Sequence, residues 1–438
     1  MGVERRGDRI AGDALSQPPR REELGTAPKA FAIPKGTVCA AWQGVKAKRG
    51  AAGRDGESLA AFAQKLGGNL YRVWNRLGSG SYFPPPVKEV GIPKAGGGTR
   101  PLGMPTVGER GAPTVAKMAL EPQLAPHFAP DSYGDRPGKA ARDAVAVTRQ
   151  RGWQSDWVVE VDSTGAFDTL APARRLKAVR KHTACRGGLL YGERGLQALT
   201  ITEAGEVKAR QRGTPHGGVR GPLVLKLFLP YALDRGLRRE RLRCPLARYA
   251  DDGGVQGRTE RQAQEVKHRL AARLREWGWE RPPAKTRSVY GKDSNRGGDS
   301  PTMQVTCLGF TVRPRRAQNR VGDLCTSFLP GASGPAQQRM RPQIAPGQLP
   351  RQTTESLRPL STHYNAILAG WWQYYGSFYP TAVWHVVRQF DLTLAWWARR
   401  KYKTLRGQKR RSRRWLAKVS RREAELFVHW RLWYGTAR

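Results

Sequence analysis

Apolar residues recur at three- and four-residue steps through "SLAAFAQKLGGNLYRVWNRL", where Leu59, Phe62, Leu66, Leu70, Val73 and Leu77 line one side of a helix. The same period returns late in the chain: Tyr364, Leu368, Trp371 and Tyr375 share one face, and so do Phe390, Leu394 and Trp397. Between these helical ends the period shortens. In "WVVEVD", residues 157 to 162, Val159 and Val161 point one way while Glu160 and Asp162 point the other, so Asp162 looks out of a sheet at a strand end. "LARYADDGGV" predicts two strands with Asp251 and Asp252 at the hairpin tip between them, and "CLGFTV" predicts a further strand. "SYFPPPVKEVGIPKAGGGTRPLGMP" reads as short strands joined by tight turns, and "GTPHGGVRGPLVLKLFLPYALD" as a glycine-rich loop entering an apolar helix. Residues 1–30, polar and punctuated by "SQPPR", are expected to form a mobile arm. "GKDSNRGGDSP" interrupts the pattern, and "LPGASGPAQQ" reads as a linker over 329–339. No internal repeat is visible, and helices with antiparallel strands make the fold class α+β.

Charge adds a partner to this outline. The 438 residues carry 77 Lys and Arg against 35 Asp and Glu, a net charge of +42. An excess of this size repels itself unless a polyanion neutralises it. No apolar run approaches the roughly 20 residues that cross a bilayer, no secretory leader is visible, and no membrane partner is expected. Five scattered cysteines without a C-x-x-C pair argue against structural zinc and fit a reducing cytoplasm. A hydrophobic fraction of 39% and 14 tryptophans imply a packed core in two or three domains.

The basic excess concentrates near the C-terminus. No acidic residue lies between Asp391 and Glu423, where Arg410, Arg411, Arg413 and Arg414 form part of a one-sign run. A solvated helix face normally mixes signs, so this run is expected to meet phosphate. Eight tryptophans fall within 371–433; at helical spacing such residues are more often core than platforms for base stacking. His127, His182, His268, His363, His385 and His429 show no metal-ligand spacing and are given no role.

Asp251 and Asp252 pose the central chemical question. Two carboxylates about 4 Å apart repel by roughly 4 kcal/mol at an effective dielectric of 20. An Asp-Asp pair alone is usually a solvated turn. If its strands pair with "WVVEVD", however, three carboxylates, Asp162, Asp251 and Asp252, gather in one place. Such a set suits Mg²⁺, a hard cation shared between carboxylates and substrate phosphates, and two such ions can serve phosphoryl transfer.

"RYADDGGV" resembles the catalytic box of reverse transcriptases. The segments around it are similar, in order, to those of the bacterial group II intron-encoded reverse transcriptase/maturase family. "GGGTRPLGMPTVGERGAPTVAKMALEP" and "DSYGDRPGKAARDAV" resemble its finger blocks. "VEVDSTGAFDTL", "RGTPHGGVRGPLV", "AKTRSVY" and "CLGFTV" resemble its palm blocks, and "HYNAILAGWWQYYGSFY" its maturase (X) domain, used as a thumb. The likeness covers roughly residues 35 to 380.

This resemblance implies a right-hand polymerase: fingers with an N-terminal extension over 31–150, a palm with an antiparallel sheet over 151–328, and a helical thumb/maturase domain with a basic tail over 340–438. It implies an RNA-directed DNA polymerase that binds its intron RNA and assists splicing and retrohoming. Asp162, Asp251 and Asp252 would be the catalytic, metal-binding triad for two Mg²⁺ ions. Phe167 would exclude a ribose 2′-hydroxyl, and Lys94 and Arg100 would hold the triphosphate. Gly217 and Gly218 would let the backbone approach the nucleotide. Partners would be intron RNA, an RNA template with a DNA primer, and deoxynucleoside triphosphates; no zinc nuclease module is expected after the tail. Departures from the family pattern are His216 where glutamine is usual, Gly253 and Gly254 after the paired acids, Gly221 for a serine, and Asp135 for an aromatic. Glycines weaken strand packing and permit a bulge, so a looser hairpin is expected. Two rivals follow: a non-catalytic RNA-binding splicing factor on the same scaffold, and a reverse transcriptase of defence or sequence diversification.

Overall fold

The computed structural model describes residues 30–93, 97, 99–162, 172–202, 204–208, 230, 244–250, 252–276, 286–319, 321–345, 349 and 356–435. The expected N-terminal arm and the apolar helix after the glycine-rich loop lie outside these residues.

The N-terminal helical pattern resolves into α1 (Lys35–Ala47), α2 (Leu59–Gln64) and α3 (Leu66–Ser79). Where one helix was expected from Leu59 onward there are two, because Lys65 leaves helical geometry at φ −115, ψ 35. β1 (Val87–Pro93) and β2 (Thr99–Met104) form an antiparallel hairpin. After it, α4 (Val107–Leu124) opens with a reciprocal cap in which Thr106 and Glu109 each accept the other's backbone N–H, satisfying two donors that a helix start leaves free. Its apolar side is a spine for the N-terminal helices. Ala112, Val115 and Ala116 bury against Val38, Ala41 and Leu77, while Val107 packs with Trp42 and Phe62.

The central sheet draws on distant parts of the chain. After α5 (Ala141–Gly152) comes β3 (Trp157–Asp162), then α6 (Pro172–Arg180), α7 (Arg186–Leu196), β4 (Thr200–Ile201) and β5 (Val207–Lys208). β6 (Leu246–Tyr249), β7 (Asp252–Gly257), α8 (Glu260–Glu276) and β8 (Ser288–Tyr290) follow. The sheet has the order β6-β7-β3-β8, antiparallel throughout, whereas β4 and β5 extend the β1–β2 hairpin in the order β2-β1-β4-β5. β3 is buried by Val158, Val159 and Val161. α8 covers the Val159 side, presenting Ala263 to Gly257, and α5 covers the other.

A third sheet corrects two expectations. "CLGFTV" is not one strand but the turn of a hairpin between β9 (Val305–Cys307) and β10 (Phe310–Gln318), since Leu308 and Gly309 both take positive φ, 52° and 79°. Such a two-residue turn matches strand twist. The expected linker at 329–339 is instead the end of β11 (Leu324–Ala332) and most of α9 (Gly334–Met340). Its prolines and glycines have structural places. Pro330 sits on β11, an edge strand of the order β11-β10-β9 that can lack an N–H, and Pro335 starts α9 behind Ser333, whose hydroxyl accepts from Ala336 N.

The remainder is helical: α10 (Leu357–Tyr375), α11 (Pro380–Lys401), α12 (Lys409–Arg422) and α13 (Val428–Gly435). Tyr364, Leu368, Phe390, Leu394 and Trp397 are buried together, as their spacing requires, and Trp371, Trp372, Trp384, Trp396 and Trp415 pack partly buried against them. Asn365 fastens α10 to α13, donating to Leu426 O at 3.0 Å and accepting from Val428 N at 3.0 Å. Among the described residues no helix is long and apolar enough to cross a membrane.

Candidate active site

Asp162 and Asp252 are register partners across β3 and β7. Residues directly opposed in an antiparallel pair share one face, so the sheet brings these two positions together. The expectation that both Asp251 and Asp252 occupy the hairpin tip is half corrected. Asp252 already pairs with Tyr249 and opens β7, leaving Ala250, at φ 54°, and Asp251 between the strands. Asp251 itself lies outside the described residues, as does the side chain of Asp162.

The ladder runs through the glycine pair without a bulge. Gly253 lies opposite Val161 and Arg248, and Gly254 opposite Glu160 and Ala247. The expected looser hairpin is thus not what forms. A Cβ on Gly253 would stand 3.1 Å from Arg248 Cβ and 3.3 Å from Ala247 O, so glycine lets the two strands close here.

Around Asp252 a small cleft is lined by Glu160, Gly254, Tyr249, Cys307 and, from α5, Val145 and Thr148. Glu160 lies two positions before Asp162 on the same face, and Arg287 holds it by an ion pair of 3.1 Å. Burial, reinforced by the negative charges of Asp252 and Glu160, pushes the Cys307 thiol up to about 12. The β9–β10 turn carries Cys307 into the cleft, and Tyr374 of α10 donates to Leu308 O at 3.0 Å. Burial, then Tyr375, Tyr249 and Cys307, push the Tyr374 hydroxyl up to about 12. Phe310 packs on Tyr374, Tyr375 and Phe378 with centroids 5.1, 5.3 and 5.5 Å away. α10 therefore docks directly on the β9–β10 hairpin that lines the cleft.

One contact had no local signal. Gly134 passes so close to the hairpin that a Cβ there would lie 2.4 Å from Ala250 N. Its neighbours add a strand-like edge to β6: Arg248 N donates to Asp131 O at 3.0 Å and Tyr133 N to Arg248 O at 2.9 Å. The "DSYGDRPG" segment thereby braces the turn that carries Ala250 and Asp251. Asp135, placed where an aromatic is usual, adopts φ 52°, a left-handed conformation that aspartate tolerates.

The nucleotide-side candidates are less assembled. Arg100 pairs through its backbone with Ile92 in the β1–β2 hairpin, whose connection contains Lys94. Lys94, the Arg100 side chain, Phe167, His216, Gly217 and Gly218 lie outside the described residues. Arg410, Arg411, Arg413 and Arg414 are all exposed on α12, whose other face buries Ser412, Leu416 and Val419. Among the described residues none of the four has an ion-pair partner.

As a donor set, opposed aspartates beside a third acid offer only hard oxygen ligands, which fits a divalent cation of the Mg²⁺ type. Among the described residues no group of three His, Cys, Asp or Glu side chains is placed to hold a metal ion.

Comparison with known proteins gives two family matches. The family described as "Reverse transcriptase (RNA-dependent DNA polymerase)" matches residues 92–312, and "Group II intron, maturase-specific domain" matches 338–415. Protein YkfC of Escherichia coli (strain K12) is 31% identical over 182 residues, covering 40% of this chain and 48% of that protein. The group II intron-encoded protein LtrA of Lactococcus lactis subsp. cremoris is 27% identical over 169 residues, 38% of this chain and 28% of its own. The putative COX1/OXI3 intron 1 protein of Saccharomyces cerevisiae is 26% identical over 160 residues, 36% of this chain and 19% of its own. The matched segments thus span less than half the length of each of these relatives.

Proposed function

Because the chain belongs to the reverse transcriptase family and carries a group II intron maturase-specific domain behind the family's core, we propose that it is an RNA-directed DNA polymerase that binds its intron RNA and assists splicing and retrohoming. The observation that carries this reading is the pairing of Asp162 with Asp252 in the central sheet. Fingers span 31–150, the palm 151–328 and the thumb/maturase domain 340–438, without the linker between the last two. The protein works in the cytoplasm.

Asp162, Asp251 and Asp252 hold two Mg²⁺ ions. When bound, these neutralise the phosphates and stabilise the attacking and leaving oxygens of nucleotidyl transfer. The chain's own part is positioning. Lys94 supplies a point charge and Arg100 a planar fork to the triphosphate of the incoming deoxynucleotide. Phe167 closes the space a 2′-hydroxyl needs. Gly217 and Gly218 admit backbone to the nucleotide, with His216 beside them offering one donor and one acceptor. α12 tracks RNA phosphates with Arg410, Arg411, Arg413 and Arg414.

The splicing-factor reading drew its support from Gly253 and Gly254, and the unbulged ladder through both removes that support. Primer extension tests the choice: purified chain, an RNA template with an annealed DNA primer, four deoxynucleotides and Mg²⁺. Full-length product is expected. No extension by protein that still accelerates intron splicing would replace the polymerase reading with the splicing-factor one.

A further inference from the structure

A cavity of about 540 Å³ opens between α11 and α12 in the thumb, walled by Trp384, Arg388 and Asp391 from α11, Arg413 from α12, and Trp430 from α13. Ligand sites commonly measure roughly 300–1,000 Å³. Asp391 is out of character there, being the single acidic residue between Glu355 and Glu423. In a domain that faces phosphate, a carboxylate works against binding unless it reads something that phosphate is not.

The geometry of Asp391 is prepared. Its Oδ1 accepts from His429 Nε2 at 2.9 Å and from Trp430 Nε1 at 2.9 Å. A carboxylate only accepts, so His429 carries its proton on Nε2 toward it, and Nδ1 is left buried without a hydrogen-bond partner among the described residues. Two donors on one oxygen fix the carboxyl plane. Oδ2 makes no hydrogen bond among the described residues, and the side chain keeps 27% of its surface exposed. Arg388 and Arg413, on the same walls, are exposed and pair with no carboxylate among the described residues, so Asp391 is not neutralised by an ion pair across the groove.

We propose that this cavity takes an unpaired guanine of the bound RNA, with Asp391 accepting from its Watson–Crick edge. The inference rests on the RNA-binding reading above. Guanine alone among the four bases presents two adjacent donors, N1–H and N2–H, on that edge. Adenine and cytosine set an acceptor beside their amino group, and uracil flanks its single N–H with two carbonyls, so each would turn a lone pair toward the carboxylate. Trp384 lines the same wall of the cavity, and Arg388 and Arg413, exposed beside it, are placed to meet the flanking phosphates.

The test uses the full chain and fluorescently labelled oligouridylates of about nine residues whose central position is guanosine, inosine, adenosine or uridine, titrated by anisotropy. Guanosine should bind about tenfold tighter than adenosine or uridine. Inosine, which lacks the N2 amino group, should fall between them. Asp391→Asn should reduce the guanosine preference below twofold. Because Asp391 also anchors His429 and Trp430, Leu392→Trp serves as the second variant. It fills the cavity from its exposed lip, leaves those hydrogen bonds alone, and should abolish the preference while thermal melting stays at the parent value. Four oligonucleotides bound within twofold of one another would overturn the pocket but leave RNA binding standing. A preference that survives both variants would also overturn it. Failure to bind any of the four would overturn the pocket together with the RNA-binding reading beneath it.

Discussion

Asp162 ends β3 directly opposite Asp252, the first residue of β7, in an antiparallel ladder that continues unbroken to Trp157 and Gly257. Two positions 90 residues apart in sequence are thus set on one face of one sheet by hydrogen bonds of the backbone alone. Val158 on the face of the acids and Val159, Val161 and Val255 are all buried, so the ladder is held in the core from both sides.

Gly134 should prove necessary to the turn it braces. A methyl group there meets Ala250 N at 2.4 Å and must displace the hairpin turn. Gly134→Ala is expected to lower primer extension by at least tenfold while circular dichroism and RNA affinity stay close to the parent's. Full activity would show that the turn moves aside without consequence.

Cys307 reports the charge of the cleft. With its thiol pushed up to about 12, Cys307 stays protonated at pH 8, and the protonated thiol is a poor nucleophile. Peptide mapping after iodoacetamide should find exposed Cys39 modified and Cys307 spared. Asp252→Asn removes one of the negative charges that hold the proton on, so alkylation of Cys307 should accelerate. Equal labelling of the two cysteines in the parent would refute this.

Arg296 locks the polar 291–301 segment to the palm. It pairs with Asp156 at 2.8 Å and donates to the carbonyls of Gly152, Gly291 and Trp153 at 2.8–2.9 Å, with a side chain only 10% exposed. Arg296→Lys keeps the charge but loses the fork that reaches several acceptors at once. Urea unfolding should show a loss of about 2–4 kcal/mol, much of it from carbonyls and a carboxylate left unmatched.

The four arginines of α12 should act through salt. Replacing Arg410, Arg411, Arg413 and Arg414 by glutamine is expected to weaken RNA binding and to flatten the dependence of log K on log salt by up to about 0.7 for each phosphate no longer neutralised. Filter binding from low to moderate salt reads both effects. An unchanged slope would assign the phosphates to other cations of the chain.

What the sequence disclosed, and what it withheld, follows from range. β3 was legible because its valines alternate, and α10 and α11 because their aromatic residues repeat with the helical period. The β9–β10 turn was not, since Leu308 is an apolar residue holding a positive φ that local pattern assigns to glycine or asparagine. The end of β11 read as a linker because a proline on an edge strand looks the same, in sequence, as a proline in a loop. Asp252 was placed one residue too far toward the hairpin tip, as boundary errors of that size decide whether an acid lies in a turn or in a ladder. Gly134 against Ala250, and Asp391 between His429 and Trp430, join segments far apart in the chain and leave no periodic trace.

The central claim is that opposed carboxylates in the palm sheet perform nucleotidyl transfer, and Asp252→Asn tests it most directly. Asparagine keeps the shape of the side chain and the backbone pairing with Asp162, while removing a charge that both the cations and the transition state need. Primer extension on an RNA template should fall by about three orders of magnitude, corresponding to roughly 4 kcal/mol, with RNA affinity and its salt dependence unchanged. Extension by Asp252→Asn at the parent's rate would contradict the account.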